Sequence, residues 1–313
     1  MTTAALFSAS SLPDLPTELL VEIISHYASP FTFLSPLVRE EHAATQQEKA
    51  QVLRALSQTC SDLRRIFLPL LWERLEVSQL NFREIHTRSE LATLIFPYIR
   101  SVHISLKSWS PSGDMETVFL FIEFLRALPN LTGLQIYNGV PWLMVPIFSY
   151  AFADASFPAL TALAIPDSLT SILPAFPNVK TLGCPSLSNK GKLIAAAKTH
   201  LPHLEALAGL RSRDLGDNFR PALAPQFPHL RALSMASTST VEYKDMFPRL
   251  HAFTQLSELE LLYQDDPDLL SLEELVAGGR NVLRASHSTD VKALRVWALD
   301  KSAGPQIVYF ERC

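Results

Sequence analysis

The sequence predicts an α/β fold, in which a small N-terminal helical unit precedes a curved solenoid of short parallel strands with outer helices. Three observations predict it. A six-residue pattern returns eight times along the chain, an apolar-Pro step precedes most of its copies, and a short, strongly apolar helix near the start belongs to neither. A chain of 313 residues is also long for a single compact core, so a second unit or a repeat array is expected.

The pattern is apolar-x-x-apolar-x-apolar. It reads "IRSVHI" from Ile99, "LTGLQI" from Leu131, "LTALAI" from Leu160 and "VKTLGC" from Val179, then "LEALAG" from Leu204, "LRALSM" from Leu230, "LSELEL" from Leu256 and "VKALRV" from Val291. The starts lie 32, 29, 19, 25, 26, 26 and 35 residues apart. Five copies follow "LPN", "FPA", "FPN", "LPH" or "FPH". Proline there fixes φ and ends the preceding helix, which predicts the same turn before each strand. Along a short strand the fourth and sixth positions point inward and the third and fifth face the other side. Between the strands, "METVFLFIEFLRAL", "KGKLIAAAKTHL" and "LLSLEELVAGGRNVLRA" read as helices of the outer layer. Such a unit buries its apolar side only by stacking on its neighbours. These segments resemble the strand part of leucine-rich repeats, whose period is typically about 20–29 residues. Two departures stand out: the sixth position of the fifth copy is Gly209, and no unit carries the Asn or Cys that often follows the strand.

The N-terminal helix is read from "LPDLPTELLVEIISHY", residues 12–27. Pro16 suits a first helical turn and Glu18 the positive end of the helix dipole. Leu19, Leu20, Ile23, Ile24 and Tyr27 then form an apolar stripe wider than a surface helix of one small domain needs. Further on runs "VLRALSQTCSDLRRIFLPLLWERLEV", Val52 to Val77. Together the two segments resemble an F-box. Leu15, Pro16, Glu18, Leu19, Leu20 and Ile23 match its first half, and Cys60, Arg64, Arg65, Leu71, Trp72 and Leu75 its second. The spacer between the halves is longer than the family's and reads, from its Pro-containing start and charged, Gln-rich end, as an inserted loop at about residues 28–50 with room for some helix. Leu63 stands near the place of a Trp that often follows the Cys. The expected division is a flexible N-terminus over 1–11, the F-box over 12–80 and irregular leucine-rich repeats over 81–313.

The combination resembles F-box proteins with leucine-rich repeats, and the split F-box with Pro-rich, irregular repeats looks most like those of mushroom-forming fungi. By that resemblance the chain is a non-catalytic substrate-recognition subunit of a cullin–RING ubiquitin ligase. The F-box docks on a Skp-type adaptor through Leu15, Pro16, Leu19, Leu20, Ile23, Ile24, Leu71 and Trp72, and the repeats hold a protein substrate. The alternative is an interaction scaffold in which the same side chains merely pack the helices against the first repeats.

Other classes find less support. A net charge of −4 gives no reason to expect nucleic acid as partner. No apolar run reaches the ~18 residues of a membrane span, and "MTTAALFSASS" lacks the basic start and apolar core of a signal peptide. Three scattered cysteines, Cys60, Cys184 and Cys313, fit neither a disulfide framework nor zinc spacing, which suggests a reducing cytoplasmic or nuclear setting. No phosphate loop, nucleophile elbow, metal-spaced histidine pair or cofactor motif is present. "AGGR" at 277–280 reads as a helix break or cap, "YQDDPD" near Asp265 as a helix-start turn with N-cap carboxylates, and His200 and His203 as turn residues.

The same register sketches a substrate surface. Third and fifth positions, with the seventh, are assigned to the concave side. In the middle copies they are small: Ala162, Ala164, Thr181, Gly183, Ala206, Ala208, Ala232 and Ser234. Towards the ends they are larger and more polar: His103, Gln135 and Tyr137 early, Glu258, Glu260, Arg295 and Trp297 late. Binding hot spots favour Trp, Tyr and Arg, so the late end is the first choice for a partner contact, unless Trp297 serves to cap the last repeat.

Overall fold

The computed structural model describes residues 39–77, 94–106, 115–137, 140–185, 191–211, 227–236, 246–263, 270–300 and 304–312. The expected flexible start (1–11) and the first F-box-like helix, with Leu15, Pro16, Leu19, Leu20, Ile23 and Ile24, lie outside them. Among the described residues, ten strands form one open sheet in chain order. They are β1 Arg74–Val77, β2 Ser101–Ser105, β3 Gly133–Tyr137, β4 Ala162–Ala164, β5 Thr181–Gly183, β6 Ala206–Arg211, β7 Ala232–Ala236, β8 Glu258–Tyr263, β9 Ala293–Asp300 and β10 Gly304–Arg312. The strands β1 to β9 pair in parallel, and β10 turns back antiparallel along β9. Helices α1 (Arg39–Thr59), α2 (Ser61–Trp72), α3 (Met115–Ala127), α4 (Met144–Phe152), α5 (Gly191–His200) and α6 (Leu272–Ala285) accompany it, with a 3-10 segment at Asp167–Ala175.

The pattern positions behave as elementary strand geometry requires. Fourth and sixth residues, such as Val102 and Ile104, Leu134 and Ile136, or Leu294 and Val296, are fully buried in one continuous core against the helices. First positions from Ile99 to Leu256 join them, whereas Val291 of the last copy is exposed. The apolar residue of each apolar-Pro step is buried too: Leu128, Phe157, Phe176, Leu201 and Phe227. Four of those steps are turns in which the N–H three residues on donates back across the proline, as from Leu160 to the Phe157 carbonyl at 3.1 Å and from Leu230 to Phe227 at 3.1 Å. Proline at the second turn position presets the φ the turn needs.

A second regularity fixes one unit on the next. From Arg100 to Arg231 the carbonyl of a second position accepts the N–H groups of the second and third positions of the following copy, and Ser257 accepts from the third position, Ala293, at 2.8 Å. Arg100 accepts from Thr132 and Gly133 at 2.8 and 3.0 Å, Thr132 from Thr161 and Ala162 at 2.9 and 3.0 Å, and Lys180 from Glu205 and Ala206 at 2.7 and 2.8 Å. The series starts earlier than the sequence reading has it, because the Glu73 carbonyl accepts from Arg100 and Ser101 at 2.9 and 3.0 Å. "WERLEV" from Trp72 is therefore a further copy of the pattern. The sheet begins at Arg74, inside the 12–80 span that the F-box reading occupies.

One local expectation is corrected and others gain detail. Residues 39–50, the charged, Gln-rich end of the inserted segment, are helical and belong to α1, since "REEHAATQQEKA" is made almost wholly of strong helix formers. "AGGR" neither breaks nor caps a helix: Gly278 and Gly279 lie within α6, where a Cβ would meet the Phe247 ring at 2.3 Å and Leu294 Cδ1 at 2.7 Å. The start of α6 is set by Ser271, whose hydroxyl accepts from the Glu274 N–H while the Glu274 carboxylate accepts from the Ser271 N–H; "YQDDPD" itself lies outside the described residues. Gly209 has its own explanation. Its φ of 75° forms a bulge at which the register shifts, so that Leu210 pairs with Met235 and fills the inward place that Gly209 vacates.

Candidate functional site

The substrate surface sketched from the register occupies the face of the sheet opposite the helices. The structure aligns its members side by side: His103 with Gln135 across β2–β3, Glu260 with Arg295 across β8–β9, and Ala164, Gly183 and Ala208 in a row between them. Their accessibility differs from the expectation. His103, Gln135, Glu260 and Trp297 are each at most 4% exposed, and the small fifth positions Ala164, Gly183 and Ala208 are buried as well. A fifth position is flanked by the third and seventh of its own strand and by fifth positions about 4.8 Å away on both neighbours, which leaves a small side chain little open surface. Tyr137, Glu258 and Arg295 remain half-buried. Trp297 does not close the sheet. It lies between Leu262 of β8 and Ile307 of β10, and it is β10 that covers the edge of β9.

The late end carries most of the charge on this face. One nitrogen of Arg295, Nη1, donates to Glu258 Oε2 at 2.9 Å and to Glu260 Oε1 at 3.2 Å. The same guanidinium sits 5.7 Å from the centre of the Phe310 ring, and Arg312 approaches that ring at 5.6 Å. On the helix side of β10, Arg280 of α6 donates to Glu311 at 2.6 Å and to the Tyr309 hydroxyl, which itself bonds to Glu311. The hydrogen bond to Glu311, followed by burial, holds the Tyr309 phenol above its ordinary range, and the same two partners raise Arg280. This arrangement locks the last strand in place. At the early end, Gln135 Oε1 is buried without a hydrogen-bond partner.

The α1–α2 pair holds most of the second half of the F-box-like segment, whose Val52–Val77 span also runs on through β1. It encloses a small apolar cluster of Leu53, Leu63 and Phe67, separate from the main core, with Leu56, Ile66, Leu70 and Leu71 half-buried around it. Leu63, standing near the family's Trp, is 1% exposed and fills the middle of this cluster. Cys60 occupies the helix-start position of α2, and Arg64 Nε reaches back to the Ser57 carbonyl at 3.0 Å, fastening the corner. Desolvation of Lys49 pushes its ammonium below the usual range, with the Glu73 carboxylate opposing. Helix α1 also packs against β10, so it touches the last strand while α2 leads into the first. The two candidate adaptor residues described here behave differently. Leu71 is half-buried on the helical cluster, whereas Trp72 packs against the main core in the manner of a first pattern position.

Sequence reasoning passed over one surface. Trp142, Leu143 and Tyr150 around α4 and Met115 and Phe119 on α3 are exposed. The signal was available in "VPWLMVPIFSYAF", which has no charged residue to supply a solvated face. Among the described residues, no group of three or more His, Cys, Asp or Glu side chains is placed to hold a metal ion, and no helix is long and apolar enough to cross a membrane.

No protein-family model matches the chain, and no curated protein does. Among solved structures, the crystal structure of a Bacteroides fragilis protein from a structural genomics consortium is similar at a TM-score of 0.34 and 13% identity, over 62% of this chain and 68% of that one. A likeness of that degree carries no argument about fold or function.

Proposed function

We propose that the chain is the substrate-recognition subunit of a cullin–RING ubiquitin ligase: an F-box docks on a Skp-type adaptor, and an irregular leucine-rich-repeat solenoid holds the substrate protein. The observation that carries this reading is the α1–α2 pair, which builds its own apolar cluster beside the sheet and keeps Leu71 half-exposed on it. A helix pair serving only to cap the first repeat would merge its apolar residues with the sheet's core. The order of Leu15, Pro16, Glu18, Leu19, Leu20 and Ile23 ahead of that pair supports it from the sequence.

The scaffold reading rests on Trp72, which packs on the main core and so belongs to the first repeat unit. The test is co-purification of the full chain with a Skp-type adaptor, comparing the wild type with Leu19→Ala, Ile23→Ala. Loss of two interface anchors costs roughly 3 kcal/mol, on the order of a hundredfold in affinity. Tight wild-type binding that disappears in a variant with an unchanged thermal transition supports the ligase reading. A wild type that does not bind the adaptor leaves the scaffold.

A further inference from the structure

The exposed apolar residues of α3 and α4 form one surface rather than scattered single side chains. Met115 and Phe119 are four residues apart on α3, and Leu143 and Tyr150 are seven apart along α4, so each pair lies on one side of its helix. The Phe119 and Tyr150 rings meet edge to face with centroids 6.0 Å apart, which joins the two stripes. Trp142, next to Leu143, is 79% exposed and Tyr150 is 70% exposed, although both are residues that favour the centres of interfaces. A contiguous exposed patch of large apolar side chains marks a binding surface more often than a solvated one.

The charge around the patch is one-sided. Between residues 115 and 175 the chain has four carboxylates, Glu116, Glu123, Asp154 and Asp167, against a single cation, Arg126. That cation donates to Glu123 of its own helix at 2.7 Å and, at 3.4 Å, to the backbone carbonyl of Asp154. Glu116 and Asp154 are exposed. Seven residues of α4 span about 10 Å, close to two turns of a second helix laid alongside.

We infer that the α3–α4 face docks a short amphipathic helix of a partner protein, with Leu-type side chains seated among Phe119, Leu143 and Tyr150 and with Lys or Arg facing Glu116 and Asp154. The site lies on the helical layer of the chain, and its existence is independent of the adaptor reading.

Trp142 supplies the readout, since burial moves its emission to the blue. The probe is a synthetic peptide of about four turns carrying Leu and Lys at helical spacing, titrated into the full chain. Controls are the same peptide with Glu for Lys and one with the spacing scrambled. The expected result is saturable binding of the Lys peptide alone, with a blue shift that Trp142→Phe abolishes and an affinity that falls between low and high salt. Phe119→Ser with Tyr150→Ser, and separately Glu116→Lys with Asp154→Lys, each weaken it about tenfold or more. If the serine pair lowers the thermal transition, the charge-reversed pair, which removes no packing, decides. Equal binding of the Glu or scrambled peptide, or indifference to both variant pairs, overturns the proposal. So does a blue shift produced by protein concentration alone, which assigns the face to a second copy, or by lipid vesicles without peptide, which assigns it to a membrane.

Discussion

Replacing Gly279 by Ala sets two opposed effects against each other inside α6. Alanine is favoured over glycine in a helix interior by about 0.8–1.0 kcal/mol. The added Cβ, however, would stand 2.7 Å from Leu294 Cδ1 and 3.2 Å from both Leu261 Cδ1 and Leu294 Cδ2. Leu294 and Leu261 are at most 1% exposed and enclosed by the core, so neither has free space to move into. Overpacking at such a site costs about 1–3 kcal/mol. The overlap therefore wins, and Gly279→Ala destabilises by about 1 kcal/mol net of its helix gain. The reasoning is sharpened by a cycle with Leu294→Ala, which alone costs about 2–5 kcal/mol. In the double variant the new Cβ enters space that Leu294 has left, so the two effects combine with a favourable coupling of about 1 kcal/mol or more. Urea unfolding followed by circular dichroism at unchanged m reads each term. A stabilised Gly279→Ala protein, or a strictly additive cycle, would show that α6 has room to shift and that these glycines do not set its distance from the sheet.

Further outcomes follow from the same geometry. Gly209→Ala forces a side chain into φ 75° and lowers stability by about 1–2 kcal/mol, measured by the same unfolding assay. Ser271→Ala removes one side of the capping box at the start of α6 and costs about 0.5–2 kcal/mol, visible in addition as faster amide exchange in the first turn of that helix. Tyr309, with its phenol held above the ordinary value of 10.0, contributes stability that is complete below that pH and lost as pH rises through the folded-state value. A spectrophotometric titration of the native chain therefore finds a tyrosine ionising late, and Tyr309→Phe removes it.

The parts of the fold governed by short-range rules were legible in the sequence. Strand registers follow from period-two alternation, and the Pro-based turns from the fixed φ of Pro158, Pro177, Pro202 and Pro228. The misreadings arose where a local signal has two physical meanings. A Gly-Gly pair weakens a helix in isolation but permits close approach in a packed one, and only the position of Phe247 and Leu294 distinguishes the two. Trp72 satisfies both an F-box pattern and a first pattern position, and only its partial burial against the main core shows that it takes the latter place. Burial of His103, Gln135 and Glu260 depends on what stands beside them in neighbouring strands, which no single segment encodes. The α3–α4 surface escaped notice because an uncharged apolar run such as "MVPIFSYAF" reads as core until its outward side is seen to be uncovered.

The N–H donation to the second-position carbonyls bears on how such a chain can change. The anchors recur at a fixed place in the units from Glu73 to Ser257, yet the distance along the chain from one anchor to the next ranges from 19 to 32 residues. That variation is taken up in the layer between strand end and next turn, where a 3-10 segment at Asp167–Ala175 does the work that α3, α4, α5 and α6 do in their own units. Insertions and deletions there leave neighbouring registers untouched, whereas a single residue gained between turn and strand would turn every following side chain of that strand to the wrong face. Length is thus heritable freely in one layer and almost not at all in the other, and lineages of this architecture should diverge by remodelling their helical side while their strands stay countable.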